Sequence, residues 1–174
     1  MISLRSLLPG LLALALGSCG YTAGLEVPDH ARSIGVEVFI NGTPLRNLEV
    51  EVTSEVARSI SDLVDLPLVP PDEADIVVRG SVAGYQRRGG VRDSDNQRLE
   101  TAVIVTLQAN LVKRRTGEVL STSTAALSSG FVLESNVVAD DVATEVAARD
   151  RVIENLADRL VLDLFSPLSY EGQP

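Results

Sequence analysis

Thr101-Ala102-Val103-Ile104-Val105-Thr106-Leu107-Gln108-Ala109-Asn110-Leu111-Val112-Lys113 alternates along nearly its whole length. Val103, Val105, Leu107, Ala109 and Leu111 fall on one side, Thr106, Gln108 and Asn110 on the other. Successive side chains of an extended chain point to opposite faces, so this is a strand with one covered and one wetter face. Arg114-Arg115-Thr116-Gly117 follows as a tight turn, and Glu118–Leu127 resumes extended character. Two such runs around a short glycine-containing turn make an antiparallel hairpin.

Upstream, Ala74–Tyr85 reads as another strand, bounded by Asp72-Glu73 and by a turn region at Arg87–Gly90. Its Ile76, Val78, Gly80 and Val82 share one face. Ser33–Ile40 alternates as well, with Ile34, Val36, Val38 and Ile40 expected on one side. Asn41-Gly42-Thr43-Pro44 ends it. Asn41-Gly42-Thr43 also matches a glycosylation sequon, but turn chemistry is the reading adopted. Between these strands Leu48, Val52, Val56, Ile60 and Leu63 recur at spacings of three and four, the stripe of an amphipathic helix of about 17 residues. Asn47 is its expected N-cap, Glu49 and Glu51 suit the positive end of its dipole, and Pro67 stops it before a Pro70-Pro71 loop.

Downstream, Val142, Val146, Ile153, Leu156, Leu160 and Leu164 mark a second helix of about two dozen residues. The order β-α-β-β-β-α predicts an α+β two-layer sandwich, a four-stranded mixed sheet with two helices on one face. The expected division is a single domain over 33–166, a tether over 19–32 and a disordered tail over 167–174.

The chain begins with a signal-like segment. Arg5 precedes an apolar run, Leu7–Leu16, and then Gly17-Ser18-Cys19. A run of about ten residues is half of what a membrane-spanning helix needs, and the pattern is that of a cleaved export signal. Leu16-Gly17-Ser18-Cys19 resembles the lipobox of bacterial lipoproteins, which implies removal of residues 1–18 and lipidation of Cys19, the only cysteine. Each buried methylene contributes about 0.8 kcal/mol, so several acyl chains hold a protein durably to a membrane. Gly20, rather than Asp, follows the cysteine. By resemblance to enterobacterial sorting, that implies an outer-membrane, lipid-anchored protein facing the periplasm.

Loss of residues 1–18 from 174 leaves 156, and loss of Arg5 takes the net charge from −9 to −10. An acidic chain lacks the basic footprint that nucleic-acid binding requires, so no nucleic-acid partner is expected. Hydrophobic residues make up 45% of the chain but aromatics only 3%, so the core must be aliphatic. With one cysteine, no internal disulfide can assist it.

Nothing in the sequence assembles catalytic chemistry, so a non-enzyme is expected, with no cofactor and no metal. His30 is the only histidine and lies in the tether. Asp93–Asp95 and Asp140-Asp141 read as a solvated loop and a helix start. Two basic clusters remain as candidate contacts to the phosphate or sugar-acid groups of a glycolipid, or to an acidic partner: Arg87, Arg88, Arg92 and Arg98, and then Lys113, Arg114 and Arg115. The alternative is plain solvated loop charge. If the hairpin reading holds, the clusters lie at opposite ends of one strand, about 40 Å apart, and cannot form one patch.

In order along the chain, Cys19-Gly20-Tyr21, Phe39-Ile40-Asn41-Gly42-Thr43, Leu48-Glu49, Ala74-Asp75 with Gly80, Arg115-Thr116-Gly117-Glu118-Val119-Leu120 and Asn155-Leu156-Ala157 resemble the lipopolysaccharide-assembly lipoprotein family, LptE. The resemblance implies the same β-α-β-β-β-α sandwich and a non-catalytic role. It implies a plug and assembly partner inside the lipopolysaccharide-inserting β-barrel LptD, with lipopolysaccharide itself a possible ligand. The Arg87–Arg98 loop has no matched counterpart in that family. The alternative is another outer-membrane lipoprotein, an auxiliary subunit of a lipid-trafficking transporter or an activator of a cell-wall synthase.

Overall fold

The computed structural model describes Leu25 and residues 27–89, 100–132 and 138–170. The signal segment, Cys19, Arg92, Arg98 and the Asp93–Asp95 run lie outside the described residues. The elements are β1 (Ile34–Val36), β2 (Ile40–Asn41), α1 (Leu48–Leu63), β3 (Ile76–Gly89), β4 (Glu100–Lys113), β5 (Val119–Val132), α2 (Val138–Phe165) and a short 3-10 helix (Ser166–Tyr170).

The quoted stretch is β4, the inner strand of an antiparallel meander β3-β4-β5. Its inward row is buried, with Val103, Val105, Leu107 and Leu111 at 0% exposure. Both helices cover that one face: α1 lies over β1, β2 and β3, and α2 over β4 and β5 and against α1. The α+β sandwich with two helices on one face of a mixed sheet is therefore the observed architecture. α1 spans the expected residues, with Leu48, Val52, Val56 and Ile60 fully buried. α2 buries Val152, Ile153, Leu156, Leu160, Val161 and Leu164. Full burial of such a side chain is worth roughly 1.5–3 kcal/mol, so this seam carries much of the fold.

The first strand departs from expectation. Ser33–Ile40 is two short pieces, β1 and β2, both parallel to β3 along the same sheet edge, which makes five strands in four positions. Ile34 is buried as expected, but Val38 and Ile40 are 68% and 73% exposed, and Phe39 is buried instead. The cause is Gly80 on β3. A Cβ there would stand 2.5 Å from Phe39 Cζ, so the missing side chain is the space that the Phe39 ring fills. Between the pieces, Glu37 N donates to Val78 O (3.0 Å) and Phe39 N to Thr53 Oγ1 on α1 (3.0 Å). A large apolar ring outweighs the exposed methyls of a sheet edge, and the alternation slips by one residue.

Turn chemistry governs the link to α1. Asn41 Oδ1 accepts from Thr43 N (2.9 Å), while Asn41 Nδ2 donates to Leu45 O and Glu49 Oε2, both at 2.7 Å. Asn47 stands at the N-cap with φ 64°, and its side chain makes no capping bond. It serves there as a residue that tolerates left-handed backbone.

Two strands run past their expected ends. β3 continues through Arg87 and Arg88 to Gly89, so these arginines are in a strand and not a turn. A bulge between Val82 and Gly84 reverses which residues face the helices. β5 runs to Val132. The described residues of the expected tether and tail lie against the domain. Leu25 and Val27 pack against the core, Leu25 N lies 3.4 Å from Leu63 O, and Arg32 N donates to Asp75 Oδ2 (2.9 Å). Ser166–Tyr170 forms the 3-10 helix and places Leu168 on the core; residues 171–174 lie outside the described residues.

Candidate interaction surface

Among the described residues, no helix lies on the second face of the sheet. Strand alternation presents Arg79 and Ser81 from β3, Gln108 and Asn110 from β4, and Thr122 and Thr124 from β5, around a shallow groove of about 500 Å³. Thr122 Oγ1 donates to Asn110 Oδ1 (2.7 Å), which holds the amide in one orientation. Arg79 Nε donates to Glu37 Oε1 (2.8 Å) across the strand edge, and both side chains stay nearly half exposed. Ile40 adds an exposed apolar group at the rim. Amides, hydroxyls and one guanidinium on a rigid sheet can hydrogen-bond and orient a partner; none is placed to shuttle protons.

At the hairpin end this face closes over. Val77 and Val112 pair across β3 and β4 and are 0% and 4% exposed, although both point away from the helices. The Pro70–Ala74 loop covers them: a Cβ on Gly35, the neighbour of Val77, would stand 2.7 Å from Pro71 Cα. Arg114 fastens the lid, its Nε donating to Ala74 O (2.6 Å) and its backbone N to Asp75 O (3.0 Å).

The predicted site residues therefore separate. Lys113 lies 3.8 Å from Glu118, Arg114 is held by the lid, and Arg115 is exposed on the turn. At the opposite end of β4 the backbones of Arg87 and Arg88 pair with Val103 and Ala102. Below the bulge Arg87 faces α2, where it forms an ion pair with Glu145, whose side chain is only 16% exposed. Glu145 Oε1 also accepts from Tyr85 Oη (2.8 Å). Burial, first, and then the hydrogen bond to Glu145 and the Glu145 charge push the Tyr85 phenol well above its usual range. Alongside, Arg149 on α2 reaches Glu51 on α1 (Nε to Oε2 3.1 Å). Thus Arg87 is a strut between sheet and helix, not a free anion contact. Two basic ends, far apart, is the arrangement the hairpin required.

Arg79, Ser81, Thr122 and Thr124 lie within strands and outside both basic clusters. The signal that places Arg79 and Ser81 was present, since they are the alternate residues to Val78, Gly80 and Val82. Among the described residues, no helix is long and apolar enough to cross a membrane.

Comparison with solved structures agrees with this architecture. Lipoprotein B from Nitrosomonas europaea superposes with TM-score 0.63 at 12% identity, covering 87% of this chain and 90% of that one. Rare lipoprotein B from Shewanella oneidensis gives 0.58 at 11%, over 81% and 99%. A lipoprotein from Caulobacter crescentus gives 0.55 at 13%, over 79% and 91%. At such identities the likeness is one of fold. No curated protein matches the chain. The profile of the lipopolysaccharide-assembly family, LptE, matches residues 31–164, nearly the whole described domain. The chain belongs to the LptE family of lipopolysaccharide-assembly lipoproteins.

Proposed function

We propose that this protein is the plug and assembly partner of the lipopolysaccharide-inserting β-barrel, LptD, and works without catalysis in delivering lipopolysaccharide to the outer leaflet. Cys19 would carry the lipid anchor that holds it to the outer membrane, facing the periplasm. The observation that carries this reading is the uncovered second face of the sheet. It is polar, with Ile40 as an exposed apolar group at its rim, as suits a wet contact inside a protein wall. The net charge, −9 for the whole chain and −10 without residues 1–18, disfavours a grip on a phosphorylated glycolipid over most of the surface. Arg88, Arg92, Arg98, Lys113, Arg114 and Arg115 stay candidates for phosphate contact, with Arg87 the weakest because Glu145 already neutralises it.

The test is a mild-detergent pull-down of the tagged, full-length protein from outer membranes, read by mass spectrometry. Recovery of a large β-barrel in equal amount supports the assignment. Recovery of transporter or cell-wall synthesis proteins without a barrel overturns it in favour of an auxiliary lipoprotein.

A further inference from the structure

The two edges of the sheet are built differently. On the β1/β2 side the edge is broken at Glu37–Phe39, charged at Glu37 and followed by Pro44, so no long ladder is available. The other edge is β5, fourteen residues long, Val119–Val132. That stretch contains no Asp, Glu, Lys, Arg, His or Pro. Its backbone pairs with β4 alone, and among the described residues no backbone group bonds its outer side. A long edge without charge, proline or break is a template for another strand, and proteins ordinarily guard against it.

We propose that β5 is a docking strand: an extended, charge-poor segment of the barrel partner adds to it and continues the sheet. This rests on the functional reading above, which supplies the barrel. A closed barrel has no free edge of its own, so the added segment must be a loop or terminal stretch of that protein.

The side chains of β5 describe what fits. Thr122 and Thr124 lie on the open face, in line with Asn110 and Gln108, so short polar residues of the added strand would extend the same polar surface. On the helix side, Ser121, Ser123 and Ala125 are small and nearly buried. α2 already packs on them, with Ser121 Oγ donating to Leu164 O (2.6 Å), so an added strand would meet the flank of α2 on that side. Main-chain bonds would give affinity and these alternate positions selectivity. A second copy of this chain fits less well. Two bodies of charge −9 repel as they approach, and no basic group on β5 offsets that.

Hydrogen exchange on the full-length protein in detergent, alone and in the complex recovered from membranes, tests the proposal. Alternate amides of β5 point outward, so in the free protein they exchange fast. In the complex they should slow on the order of 100-fold, while the β4-bonded amides between them change little. Recovery of the barrel with the outward amides still fast overturns strand addition and leaves the functional reading standing. Absence of any barrel overturns both. Sedimentation of the partner-free protein supplies a second arm, because a dimer with those amides already protected would assign the edge to self-association and overturn the proposal. Proline scanning gives independent evidence. Of Thr122→Pro and Ser123→Pro, the one that removes an outward N–H should keep its melting temperature within a few degrees yet lose at least tenfold of barrel recovery.

Discussion

The Gly80–Phe39 contact allows a sharp test of how the sheet edge is built. In Gly80→Ala the new methyl would stand 2.5 Å from Phe39 Cζ and 2.8 Å from the Gln108 carbonyl oxygen. Both distances lie well inside van der Waals contact, so the ring must move, and Phe39, 2% exposed, sits in the core with no free space to enter. Overpacking of this kind costs about 1–3 kcal/mol. A glycine in a strand interior is otherwise worse than alanine by roughly 0.5–1 kcal/mol, so without the ring the same substitution would be far milder. Phe39→Ala alone removes a buried aromatic and costs about 3–5 kcal/mol. The two changes should therefore couple: in the Phe39→Ala background the penalty of Gly80→Ala shrinks by at least about 1 kcal/mol. The Gln108 oxygen keeps a residual cost in both backgrounds. Urea unfolding followed by far-UV circular dichroism measures all four proteins, and the chain has no tryptophan to complicate the signal. Equal penalties in the two backgrounds, or a wild-type background in which Gly80→Ala stabilises, would refute the account of why Ser33–Ile40 slips.

Tyr85 makes a pH prediction: its phenol is raised above the normal range in the folded state, so the stabilisation is complete below about pH 10 and is lost as pH rises beyond it. Glu145→Gln should lower the Tyr85 titration, visible as earlier phenolate absorbance in an alkaline titration, and an unchanged titration would separate Tyr85 from Glu145. Leu156→Ala, at a fully buried position, should cost about 2–5 kcal/mol, whereas Leu162→Ala, 43% exposed on the same helix, should cost well under 1 kcal/mol in the same urea assay. Ser59→Ala removes the 2.6 Å bond from Ser59 Oγ to Asp158 Oδ1 between the helices and should cost about 1–2 kcal/mol; no loss would mean that solvent replaces it. Cys19→Ser should release the protein from the membrane fraction after export, and continued retention would remove the lipid anchor from the reading.

How far the site could be read in advance depended on which force dominated locally. Clustered arginines stand out in a sequence, yet Arg87 is neutralised by Glu145, which lies 58 positions along the chain. That pairing needs the Val82/Gly84 bulge, which turns Tyr85 and Arg87 toward α2. A bulge adds a single residue to an otherwise regular alternation and leaves little trace in composition. The open face, by contrast, was half legible, since Gln108 and Asn110 stand out of β4 in the sequence itself.

The elements with one buried and one solvated side were determined by the sequence alone. β4 alternates, α1 and α2 repeat at helical spacing, and Gly117, with φ 73°, closes the hairpin, because burial on one face imprints its period directly on residue choice. The tertiary structure decided what required distant partners. Phe39 rather than Ile40 turns inward because Gly80 leaves a vacancy, and Val112 is dry because the Pro70–Ala74 loop folds back over it. Leu25 and Val27 leave the expected tether because the core offers them apolar surface. Periodicity records a residue's average surroundings; contact with a particular side chain elsewhere in the fold is set only when the layers close.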